Sequence, residues 1–72
     1  MAHRDRLLRS RLRDVFVVTL DDGSAWKGLL YAVDDRSLIL RDAEALTSEQ
    51  TGTPVDGELV LPRDRVAYMQ RP

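Results

Sequence analysis

The spacing of apolar residues changes period once along the chain. From Asp5 to Leu12, leucines stand at 7, 8 and 12 in a stretch of good helix formers without glycine or proline, which predicts a short amphipathic helix over 5–12. A helix of that length is unstable alone and must dock on something. From Val15 the period is two: Phe16, Val18 and Leu20 point one way while Val15, Val17 and Thr19 point the other, and the β-branched and aromatic content makes 15–20 a strand. Asp21-Asp22-Gly23 then supplies a hairpin turn into a second strand over 24–33. Gly28 inside that strand predicts a bend. Asp34-Asp35-Arg36 forms a second turn, and Ser37-Leu38-Ile39-Leu40-Arg41 opens a third strand over 37–42. Residues 43–57, rich in Thr, Ser, Gln, Gly, Pro and acids, read as a variable loop in which Ala43 to Leu46 suits a single helical turn. A fourth strand over 58–61 ends at Pro62, and a fifth covers 65–70.

The predicted order is helix, three-strand meander, loop and two short strands, with no repeat or linker, so residues 1–72 are expected to form a single domain. Few strands enclose a core only by curling, and a bent second strand points to a small, strongly curved antiparallel barrel of the all-β class. Its end strands carry no internal proline to block them. Pairing between subunits would cover those edges.

Length gives that pairing a reason. A chain of 72 residues buries only roughly 60% of its unfolded surface, so its core is thin. Disulfides and thiolate metal sites are excluded by the absence of cysteine, and the single histidine, His3, cannot build an imidazole cage. Oligomerisation is the remaining source of stability. No apolar run is long enough for a secretory or membrane-spanning segment, so a cytoplasmic protein without membrane partners is expected. Ten of the eleven basic residues are arginine, a bias that fits GC-rich coding and a bacterial or phage source.

The formal net charge of −1 conceals an uneven distribution. Residues 1–13 hold Arg4, Arg6, Arg9, Arg11 and Arg13 against Asp5, a net of +4; residues 14–62 sum to −7, and the tail from 63 to +2. A local basic segment, more than the total, steers a polyanion. Arginines on a surface helix are also commonly just solvated. Catalysis has little support, because no cysteine or placed histidine can activate a nucleophile, and Asp21-Asp22 and Asp34-Asp35 fall in turns that favour aspartate. No catalytic residue, metal ligand, cofactor or small-molecule substrate is assigned.

Two segments carry a family resemblance. Phe16-Val17-Val18-Thr19-Leu20-Asp21-Asp22-Gly23, then Trp26, Gly28, Leu30 and Asp34, then Leu38-Ile39-Leu40-Arg41-Asp42-Ala43, resembles the first signature of Sm-like (LSm/Hfq) proteins. Leu59 through Met69 is similar to the second. The resemblance implies an N-terminal helix followed by a five-stranded, strongly bent antiparallel barrel (an SH3-like barrel) that assembles into a ring of six or seven subunits. The fourth strand would pair with a neighbour's fifth, which places Leu59, Leu61, Val66 and Tyr68 at the subunit interface.

Single-stranded RNA is the partner this family implies, held around the pore by loops corresponding to Asp34, Arg36, Ser37 and Arg63, with the helix arginines Arg4, Arg6, Arg9, Arg11 and Arg13 at the rim. The match departs from the pattern in places. Ser37 stands where many members carry a base-reading asparagine, Arg36 occupies the stacking position, Pro62-Arg63 replaces an Arg-Gly pair, and the Hfq lysine-histidine pair is missing. The turn length is closer to Hfq. Trp26, Tyr31, Phe16 and Tyr68 are expected in the core or an interface rather than as stacking platforms. Two functions follow: an RNA chaperone or scaffold in ring form, or a structural module for protein assembly that binds no RNA.

Overall fold

The computed structural model describes residues 12–46 and 52–72. The predicted helix over 5–12, and with it Arg4, Arg6, Arg9 and Arg11, lies outside the described residues except for Leu12. The described elements are β1 (Val15–Leu20), β2 (Ala25–Val33), β3 (Ser37–Leu46), β4 (Thr53–Pro54), β5 (Glu58–Pro62), a 3-10 turn over Arg63–Arg65 and β6 (Val66–Gln70). They form one antiparallel sheet in the order β4-β3-β2-β1-β6, with β5 also paired to β3.

The meander follows from the local chemistry. Gly23 supplies a φ of 90° in the β1–β2 turn, where its N–H bonds the Leu20 carbonyl at 3.0 Å and the Leu20 N–H bonds the Ser24 carbonyl at 2.8 Å. Between β2 and β3 the register jumps from Lys27↔Glu44 to Leu29↔Arg41, so Asp42 and Ala43 together oppose Gly28. Asp42 accommodates the extra residue with a φ of 51°, a conformation that aspartate tolerates. A Cβ on Gly28 would lie 3.0 Å from the Ala43 Cβ and 3.1 Å from the Arg41 carbonyl oxygen. Gly28 thus permits the close approach at which the sheet bends.

A second jump, from Leu30↔Leu40 to Ala32↔Ile39, leaves Tyr31 as an extra residue on β2. Curled this way, the sheet buries Phe16, Val18, Leu30, Leu38, Leu40, Ala43 and Leu61, with Leu20, Trp26, Val33, Val55, Leu59, Val66 and Met69 packed against them. Period two in β1 and β3 puts Phe16/Val18 and Leu38/Leu40 on the inner face.

Residues 43–57 are not one loop. Ala43 to Leu46 continue β3 instead of forming a helical turn, because Trp26↔Ala45 and Lys27↔Glu44 pair them with β2, and the sheet ladder outweighs a local helical preference. β4 adds a two-residue strand on the other side of β3, at Glu44↔Pro54 and Ala45↔Thr53. Among the described residues, six strands therefore replace the expected five. Pro62 ends β5 as its last residue, paired with Ser37, and the chain turns through Arg63–Arg65 before β6 begins at Val66. Among the described residues β5 pairs only with β3 and β6 only with β1, so each has an open edge. No helix among the described residues is long and apolar enough to cross a membrane.

Candidate nucleic-acid interface

Two turns far apart in sequence meet at one end of the sheet. Asp34 closes the β2–β3 turn: one carboxylate oxygen, Oδ1, accepts the Arg36 N–H at 2.8 Å and the Ser37 N–H at 2.7 Å, while the Asp34 N–H donates to the Ser37 carbonyl at 3.0 Å. This is the local geometry for which aspartate is favoured in turns. From the β5–β6 connection, the Arg63 N–H donates to the Arg36 carbonyl at 2.8 Å, and the Arg63 Nη1 donates to the Asp34 carbonyl at 2.6 Å. The four residues named from sequence, Asp34, Arg36, Ser37 and Arg63, therefore form one constellation. Asp34, Asp35, Arg36 and Ser37 line a shallow depression on it.

Their roles differ. Asp34 is a scaffold for the turn, and the two N–H groups, Arg36 first and Ser37 second, hold its carboxyl below the ordinary value of 3.8. Arg63 is half-buried and locks one turn to the other. Arg36 is exposed, and no described residue accepts a hydrogen bond from its guanidinium. Replacing Asp34 with alanine is expected to weaken the fold most above pH 3.8, with the difference from wild type closing as pH falls. A depressed folded-state pKa contributes stability above the unfolded value and loses it through the folded one. Urea unfolding of the two proteins between pH 6 and 2.5 measures this; a gap that widens on acidification refutes the role given to Asp34.

Arg13 is placed elsewhere. Its backbone takes a φ of 76°, its N–H bonds the Leu30 carbonyl at 2.6 Å, and its guanidinium lies 5.9 Å from the centre of the Tyr31 ring. Arg41 covers that ring at 3.7 Å and also binds Glu58 Oε2 through Nη2 at 2.9 Å and Nε at 3.2 Å. Sequence reasoning did not assemble this Tyr31–Arg41–Glu58 cluster. It depends on the Tyr31 bulge and on the Arg41↔Glu58 register, and the only trace in the chain is an Arg and a Glu in neighbouring predicted strands.

The residues expected at a subunit interface divide. Leu61 is 3% exposed and belongs to the chain's own core, because β5 turns it inward against Leu38. Leu59 and Val66 are half-buried against that core, and Tyr68 is 55% exposed. Val60 on β5 is likewise an exposed apolar side chain. Of the aromatic residues, Phe16 is in the core, Trp26 packs on it, and Tyr31 lies under Arg41.

No protein-family model matches the chain, and no curated protein matches it in sequence. Solved structures do. The chain is similar to the SmAP1 heptamer of P. aerophilum, with 22% identity, a TM-score of 0.84, and 99% of this chain and 95% of that one covered. It is similar to the SmAP (LSm) protein from Methanococcus vannielii at 29% identity, with a TM-score of 0.71 over 89% and 87% of the two chains. The Pyrococcus abyssii Sm protein in complex with a uridine heptamer matches at 23% identity, with a TM-score of 0.78 over 89% and 90%. The bent sheet of this chain is the Sm fold.

Proposed function

We propose that this chain is a member of the Sm-like family that assembles into a homo-oligomeric ring, of six or seven subunits, and binds single-stranded RNA there. The observation that carries the proposal is the joining of the 34–37 and 62–65 turns through Arg63, which brings Arg63 and the exposed Arg36 into one place on an Sm fold. The heptameric form of one structural neighbour and the uridine heptamer bound to another support it. Open edges on β5 and β6 support head-to-tail pairing, which closes into a ring when the rotation between subunits allows.

In a ring every subunit repeats Arg36 and Arg63, and weak phosphate contacts add through multivalency. Arg4, Arg6, Arg9, Arg11 and Arg13 extend the contacts toward the rim, in a cytoplasmic RNA chaperone or scaffold of bacterial or phage type. Native mass spectrometry and the salt dependence of binding to labelled uridine-rich and adenine-rich RNA test this. A six- or seven-fold mass is expected, with affinity falling by about a thousandfold between 50 and 200 mM salt. A monomeric mass, or no RNA shift at low salt, overturns it; the second result leaves the protein-assembly module as the function.

A further inference from the structure

Tyr31, Arg41 and Glu58 form a cluster to which RNA binding gives no role. Arg41 lies on the Tyr31 ring at 3.7 Å and sends both Nε and Nη2 to one oxygen of Glu58, Oε2, at 3.2 and 2.9 Å. The other oxygen, Oε1, has no partner among the described residues. Glu58 opens β5, a strand whose second edge is unpaired among the described residues. A carboxylate half committed to its own chain, at the start of an open edge, is placed to accept a charged donor from whatever covers that edge.

The other open edge carries such a donor. β6 ends at Gln70, and the exposed Arg71 follows it; its contact among the described residues is an ion pair with Asp14 at 3.9 Å, longer than a hydrogen bond. Every strand pair in the sheet is antiparallel. In that sense, a β5 edge that meets the β6 edge of a second copy brings the start of β5 to the end of β6. Asp56 and Glu58 stand at the first and Arg71 at the second, so the two edges are complementary in charge.

The apolar residues set the register. Val60 and Tyr68, the large exposed apolar side chains of β5 and β6, cover each other when they stand opposite, and a β-branched residue facing an aromatic one is a favourable cross-strand pair. From that pair outward, Glu58 faces Gln70, and Arg71 comes to Gly57, flanked by Asp56 and Glu58. A slip of one residue would set Val60 against Met69, which packs on the core.

Resting on the ring proposed above, we infer that Glu58, held by Arg41, docks Arg71 of the next copy, and that this ion pair fixes the register of each subunit junction. Arg41 is a positioning residue. Its stacking on Tyr31 keeps the carboxylate at the edge.

The absence of cysteine makes the register readable by cross-linking the full chain. Val60→Cys with Tyr68→Cys is expected to give, on mild oxidation, a ladder of covalently joined subunits on a non-reducing gel, since residues directly opposite come within disulfide reach. Val60→Cys with Gln70→Cys, out of register, is expected to give none. The ion pair is read by a double-mutant cycle of Glu58→Gln and Arg71→Gln, in which Glu58→Gln still offers Arg41 an oxygen. Each single substitution is expected to raise the subunit concentration at which the ring half-dissociates by about fivefold or more, and the double by no more than either single.

A ring in which the in-register pair gives no ladder, or in which the two glutamine substitutions act additively, overturns the inference while leaving the ring intact. A wild-type chain that stays at single-subunit mass overturns the ring proposal and the inference together.

Discussion

Replacing Leu30 with alanine is expected to remove about 2–5 kcal/mol of stability, the usual cost of truncating a fully buried leucine. Leu30 is 0% exposed and sits opposite Leu40 in the β2–β3 ladder, also 0% exposed, at the centre of a core with only seven buried side chains among the described residues. A chain of this size has roughly 4–11 kcal/mol in hand at about 0.05–0.15 kcal/mol per residue. One cavity at this point is therefore comparable with the whole stability. Neighbouring strands have little room to close it, because bulges on either side of Leu30 fix the path of β2. Urea unfolding followed by Trp26 fluorescence measures the effect, since Trp26 packs against the core. Leu30→Met, which keeps volume, is expected to cost less than about 1.5 kcal/mol. Equal losses for the two variants would show that packing around Leu30 does not dominate.

The same bulges mark where sequence reading succeeded and where it stopped. Alternation in 15–20 puts Phe16 and Val18 on one face, which the fold buries, the Asp22-Gly23 pair sets the hairpin, and the bend at Gly28 is found as a close contact with Ala43. These features depend on residues near each other in the chain or on the simple two-residue period of strands. The extension of β3 through Ala43–Leu46 does not, because its pairing with Trp26 and Lys27 is decided only after the bulge at Asp42 shifts the register. β4 is similarly invisible. Two residues including Pro54 carry no strand signal of their own, and the edge of β3 supplies the ladder.

For the candidate site, turn chemistry was legible in Asp34, Arg36 and Ser37, and Arg63 was placed in the facing connection. The contact between Arg63 Nη1 and the Asp34 carbonyl, across 29 positions, became visible only with the fold. The family resemblance places Leu61 at a subunit interface, whereas within the chain it is 3% exposed. Strand alternation gives two faces without naming them, and the core claims the one that carries Leu61.

The double substitution Val60→Lys and Tyr68→Lys is expected to convert the proposed ring to single subunits while leaving each subunit folded. Both side chains are more than half exposed, at 56% and 55%, so within one chain their replacement is expected to cost no more than about 0.5 kcal/mol each. Val60 lies on β5 and Tyr68 on β6, each of which has an open edge among the described residues. When the β5 of one copy adds to the β6 of the next, lysines replace apolar contacts on both sides of every junction, and facing like charges disfavour strand pairing. The penalty recurs at each junction and a closed ring needs all of them. Loss of the ring also removes the multivalency of Arg36 and Arg63, so affinity for single-stranded RNA is expected to fall by about a hundredfold or more. Native mass spectrometry reads the first effect, and anisotropy at fixed salt the second. Tm compared with wild type at low protein concentration checks that the subunit remains folded. A double variant that keeps a six- or seven-fold mass would show that these two edges do not form the junction, whereas a single-subunit mass with undiminished RNA affinity would remove the ring from the binding mechanism.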